Sequence, residues 1–151
     1  MRTILTFFMT LLAGGVQAQT AFPCDWQARA DAIVEPWEEN SRTFANGEVR
    51  VAYLDVIEPA AASAYLLILH PPYHEVGGRT CTVVGLDEGL GYGGFIFSEL
   101  EAEYDPATGL SITVPGFIYL PEESFQNSAL IRTTINQATG DVTVSQKLGS
   151  E

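Results

Sequence analysis

Phe95-Ile96-Phe97-Ser98-Glu99-Leu100-Glu101-Ala102-Glu103-Tyr104-Asp105-Pro106-Ala107-Thr108-Gly109-Leu110-Ser111-Ile112-Thr113-Val114 reads as a strand, a tight turn and a returning strand. Ile96, Leu100, Ala102 and Tyr104 share one parity, and Glu99, Glu101 and Glu103 share the other. A pleated chain sends such sets to opposite faces, one towards a core and one towards water. Asp105 to Gly109 supplies the corner, because Pro106 presets the first turn angle and Gly109 can take the left-handed exit. Leu110, Ile112 and Val114 then return along the buried side. A second Ala-Thr-Gly turn, within Asn136 to Asp141, joins Ser128–Ile135 to Val142–Leu148 and predicts another antiparallel hairpin.

Upstream, Val49–Ile57 and Ala64–His70 are apolar on both parities, which predicts central strands covered on both faces. Thr80–Leu86 is a shorter third strand. Trp26, Ala30, Ile33, Val34 and Trp37 recur at helical spacing behind a capping Asp25, so a helix is expected from Trp26 to about Asn40, kinked or split by Pro36. One helix followed by seven strands with short connections makes a mainly β (α+β) domain. Its expected form is an antiparallel meander, either a curved sheet with the helix on its concave face or a partly closed barrel.

The first residues have the anatomy of an export signal. Arg2 precedes a short apolar stretch, and Val16-Gln17-Ala18 offers small residues where a signal peptidase inspects them. The stretch is shorter than the ~20 residues a spanning helix needs. Residues 1–18 are therefore expected to be a cleaved signal peptide, with residues 19–151 forming a single domain in the periplasm or secreted, without a membrane anchor. Cleavage would remove one of 7 Lys+Arg and none of 19 Asp+Glu, leaving the chain more acidic than its formal −12. Such a charge opposes nucleic acid and anionic lipid, which need a positive face to displace counterions. Cys24 and Cys81 are the only cysteines, and in an oxidising compartment an even count predicts a Cys24–Cys81 disulfide stapling the domain.

Four clusters are candidates for chemistry. His70-Pro71-Pro72-Tyr73-His74-Glu75, running on to Arg79, holds both histidines. Two imidazoles and a carboxylate could take zinc if the loop folded back, but two prolines forbid the helix on which residues four apart are co-facial. Without a metal the same segment is a rigid turn carrying solvated side chains, or a recognition loop. Gly89-Leu90-Gly91-Tyr92-Gly93-Gly94 feeds a strand rather than opening a helix, so it is a connection or bulge and not a phosphate cradle. Glu99, Glu101 and Glu103 fit a solvated edge face. Trp26, Trp37, Phe95, Phe97, Phe117 and Tyr119 suit a core, with Phe97 and Phe117 on the parity that would line a groove.

Ala45-Asn46-Gly47-Glu48-Val49-Arg50-Val51, Pro71-Pro72-Tyr73 with Glu75-Val76-Gly77-Gly78-Arg79, and Tyr104-Asp105-Pro106 resemble segments of small exported proteins of unknown function from marine alphaproteobacteria. The resemblance implies a periplasmic or secreted location and no activity. No Gly-x-Ser-x-Gly elbow is present, nor a sequence pairing of serine or cysteine with a histidine base. The expected role is a noncatalytic binding or interaction module for a protein or small-molecule ligand, needing no cofactor. Its surface would comprise His70, Pro72, Tyr73, His74, Glu75 and Arg79. The alternative is a metal-dependent hydrolase using His70, His74 and Glu75.

Overall fold

The computed structural model describes residues 20–149; the expected signal segment lies outside them. Among the described residues, ten strands form two antiparallel sheets. The first contains β1 (Ala21–Pro23), β2 (Ser41–Phe44), β3 (Val49–Asp55), β4 (Ala64–Tyr73) and β5 (Arg79–Val84), ordered β1-β5-β4-β3-β2. The second contains β6 (Gly94–Phe95), β7 (Glu101–Asp105), β8 (Gly109–Leu120), β9 (Phe125–Ile135) and β10 (Val142–Leu148). Here β10, β9 and β8 follow one another, and β6 and β7 both pair with β8. β2 to β5 and β7 to β10 are thus meanders, as short connections predict, whereas β1 crosses over to pair with β5.

The inner faces of the two sheets close on one core. Val49, Val51, Leu66 and Ile68 from the first sheet pack with Ile112, Val114, Ile131 and Ile135 from the second. A smaller core lies on the opposite face of the first sheet, where Leu54, Val56, Tyr65 and Val83 meet Phe22 and Ala32. This double cover is why β3 and β4 are apolar on both parities. The expected single curved sheet or partly closed barrel is therefore replaced by two stacked sheets. Seven strands become ten through the short pieces β1, β2 and β6, which have too few residues to show a period.

No helix forms over 26–40. A single 3-10 turn at Ala30–Ala32 is all the helical structure there, and Trp26 and Trp37 are 47% and 51% exposed. Pro36 removes an amide donor and bars the residue before it from helical angles, leaving a stretch too short to persist without packing. The segment instead runs along the first sheet, where Val34 donates its amide to the Tyr53 carbonyl at 3.0 Å and Ile33 bridges to Leu54. The expected strand over 95–104 is also broken. A 3-10 turn at Phe97–Glu99 re-phases it, putting Phe97 in the core and taking Glu99 out of line with Glu101 and Glu103.

The Cys24–Cys81 disulfide is formed, with Cα atoms 5.3 Å apart. It fastens the segment after β1 to β5, so the covering layer is tied covalently to the sheet beneath it. The glycine run is the passage from the first sheet to the second. At Gly91 a Cβ would lie 2.5 Å from the Ala64 carbonyl oxygen, so a side chain is excluded by backbone. Among the described residues no helix is long and apolar enough to cross a membrane.

Candidate functional site

The β4–β5 hairpin carries the sequence-predicted surface, and its side chains divide into three groups. Tyr73 and Arg79 are paired across the hairpin mouth and reach the turn before β3. The Tyr73 hydroxyl donates to Glu48 Oε2 at 2.8 Å. Arg79 donates to the backbone carbonyls of Glu48 and Gly47 at 3.1 and 2.9 Å, and its guanidinium lies 5.6 Å from the centre of the Tyr73 ring. Glu48, by accepting the phenol's hydrogen bond, raises the Tyr73 pKa above its usual 10.0; a smaller burial effect adds to this, and Arg79 pulls the other way. These two residues clamp the hairpin in place.

His70 belongs to the interior. It is 0% exposed, with Nδ1 donating to the Pro71 carbonyl at 2.6 Å and Nε2 bonded to Thr82 Oγ1 at 2.9 Å. A carbonyl can only accept, so Nδ1 carries a proton and both ring nitrogens are engaged. The expectation of an accessible His70 on the recognition loop is corrected here. Even parity with Leu66 and Ile68 points it between the sheets, and the strand continues through both prolines to Tyr73. His74 and Glu75 are exposed on the following turn, away from the buried imidazole. Among the described residues no group of three His, Cys, Asp or Glu side chains is placed to hold a metal ion.

The third group faces a groove. Where β1 and β10, the edge strands of the two sheets, run near each other, an open groove of about 610 Å³ lies between them. His74, Thr80, Thr82, Asp141 and Val142 are among its walls, and the Cys24–Cys81 disulfide borders it. Thr82, 8% exposed, stands in front of His70 and bonds to its ring. The two hairpins flanking the groove touch, because Gly140 lies against Pro72. Pro72 also accepts the Thr80 hydroxyl at its carbonyl, at 2.8 Å. The arrangement offers hydroxyls, one imidazole, one carboxylate and an apolar strip.

Sequence reasoning located His74 and Arg79 at this end of the molecule and missed Glu48, Thr82 and Asp141. Asn46-Gly47 is a turn dipeptide that places a corner just before Glu48. Nothing in the spacing announces that this corner meets Tyr73. Phe97 and Phe117 do not line this groove: Phe97 is in the core, and Phe117 is half-buried on β8. No protein-family model, curated protein or solved structure matches the chain.

Proposed function

We propose that the protein is an exported, noncatalytic binding module whose working surface is the Tyr73–Arg79 turn and the groove at its foot. The observation that carries this reading is the clamp. Tyr73 and Arg79 are tied to Gly47 and Glu48, so His74 and Thr80 are held beside the groove on a rigid support. Binding residues on loops fixed by a scaffold lose little entropy when a ligand arrives. Export rests on the signal-like residues 1–18 and on the resemblance to small exported proteins, and the disulfide that consumes both cysteines suits an oxidising compartment. The strong negative charge favours cationic or neutral partners over nucleic acid. No observation favours the hydrolase alternative, whose His70 has both nitrogens occupied.

Native mass spectrometry of protein purified from its own host tests both parts of the proposal. The expected result is a mature chain beginning at Gln19 that carries a bound mass, and loss of that mass in a His74→Ala, Asp141→Asn double variant. A bound mass retained in the double variant would place binding elsewhere. An intact residue 1–18 segment would overturn export by cleavage.

A further inference from the structure

A smaller pocket of about 290 Å³ lies on the covering segment, sharing Phe22, Pro23 and Cys24 with the groove and lined beyond them by Asp25, Trp26, Gln27 and Glu88. Gln27 is the unusual member. It is only 1% exposed, its Nε2 donates to the Glu88 carbonyl, and its Oε1 is buried with no hydrogen-bond partner among the described residues. A buried acceptor left unpaired is costly and calls for an explanation, of which a bound donor is one; Gln27 is the one of four such side chains among the described residues that lines this pocket. Trp26 stands next to it. The indole meets Tyr65 edge-on, with centroids 6.3 Å apart, and remains 47% exposed. The charged side chains lining the pocket, Asp25 and Glu88, are both acidic, and among the described residues no Lys or Arg lines it.

We infer that this pocket binds a small primary alkylammonium ion, at a site that adjoins the groove beside His74 but uses Trp26, Gln27 and Glu88, which the groove does not. Each part of the lining selects that chemistry. An indole attracts a cation to its face, two carboxylates add to the attraction and repel anions, and an unpaired amide oxygen asks for an N–H donor. A neutral donor would bond the Gln27 oxygen but lack the charge attraction of Asp25, Glu88 and the indole face. A quaternary ammonium would use the charge but leave the oxygen unpaired. The volume suits a small organic ion and excludes a folded partner.

The test uses the disulfide-intact protein with Trp37→Phe, so that Trp26 is the sole indole reporter. Fluorescence is titrated with n-butylammonium, tetramethylammonium and n-butanol, and the Gln27 side-chain amide is followed by NMR in the same samples. Saturable quenching by n-butylammonium with a shift of the Gln27 amide is expected, together with weaker binding of tetramethylammonium and none of n-butanol. Glu88→Gln, an exposed position, should weaken n-butylammonium about fivefold, the worth of one partly screened charge. Equal binding of n-butanol, an affinity unchanged by Glu88→Gln, or no saturable signal would each overturn the assignment.

Discussion

Gly140 lies against the ring of Pro72: a Cβ on Gly140 would stand 2.7 Å from Pro72 Cδ, and its φ is +83°. Two constraints thus meet at one residue, a left-handed backbone and a contact too close for any side chain. The contact joins the β9–β10 turn to the β4–β5 hairpin, the two elements that flank the groove. Gly140→Ala is expected to cost about 1–3 kcal/mol from backbone strain, with the contact adding to it. Urea unfolding measures the loss, and amide shifts at His74 and Asp141 should move with it. A stability equal to that of the parent would show that the two turns are not coupled.

The disulfide closes a loop with a sequence separation of 57. The chain-entropy relation gives such a loop about 4 kcal/mol. Cys24→Ser with Cys81→Ser should lose a large part of this while both sheets keep their far-ultraviolet signature, because the main core contains neither cysteine. The covering segment should loosen first, seen as faster amide exchange at Ala32 and Val34. A loss below about 1 kcal/mol would mean that apolar packing alone holds that layer.

The two histidines should behave differently. His70→Ala opens a void and strands Thr82, for an expected loss of about 2–4 kcal/mol. His74→Ala lies on an exposed turn and should stay within about 0.5 kcal/mol. Zinc should not raise the melting temperature of the parent protein, since His70 has no free nitrogen to offer. A zinc-dependent rise that vanishes in His74→Ala would revive the metal-dependent reading.

Stability should fall at alkaline pH. Burial raises the pKa of Tyr92 and, as the largest of several effects, that of Tyr53, while the Glu48 bond raises Tyr73, all from 10.0. Above that value the unfolded chain gives up phenol protons that the folded chain keeps. Stability from these tyrosines is therefore whole below about pH 10 and is lost as pH climbs through their folded values. Tyr92→Phe should flatten the decline in a series of urea titrations above about pH 9. An equally steep decline would assign the effect to other groups.

Within the chain, local pattern and tertiary outcome separate cleanly. Alternation around Asp105–Gly109 and Asn136–Asp141 predicted two hairpins, and both are present as β7–β8 and β9–β10. Apolar residues on both parities of β3 and β4 predicted double cover, which the two cores supply. The helix over 26–40 failed because a helical spacing does not decide which side chains find a partner. There the free backbone groups bonded to β3, and both tryptophans stayed half exposed.

The sequence by itself determined the strand-rich class, the turns and the cysteine pairing, because these follow from short-range sterics, from the period-two pleat and from a count of two. Only the tertiary structure decided that the strands stack as two sheets, that His70 is interior, and that Tyr73 answers to Glu48. Those outcomes depend on which faces meet across long sequence separations: 25 residues separate Tyr73 from Glu48, and 54 separate Tyr92 from its partner Gln146. Contacts of that range are selected by the packing of the whole core, and no local period encodes them.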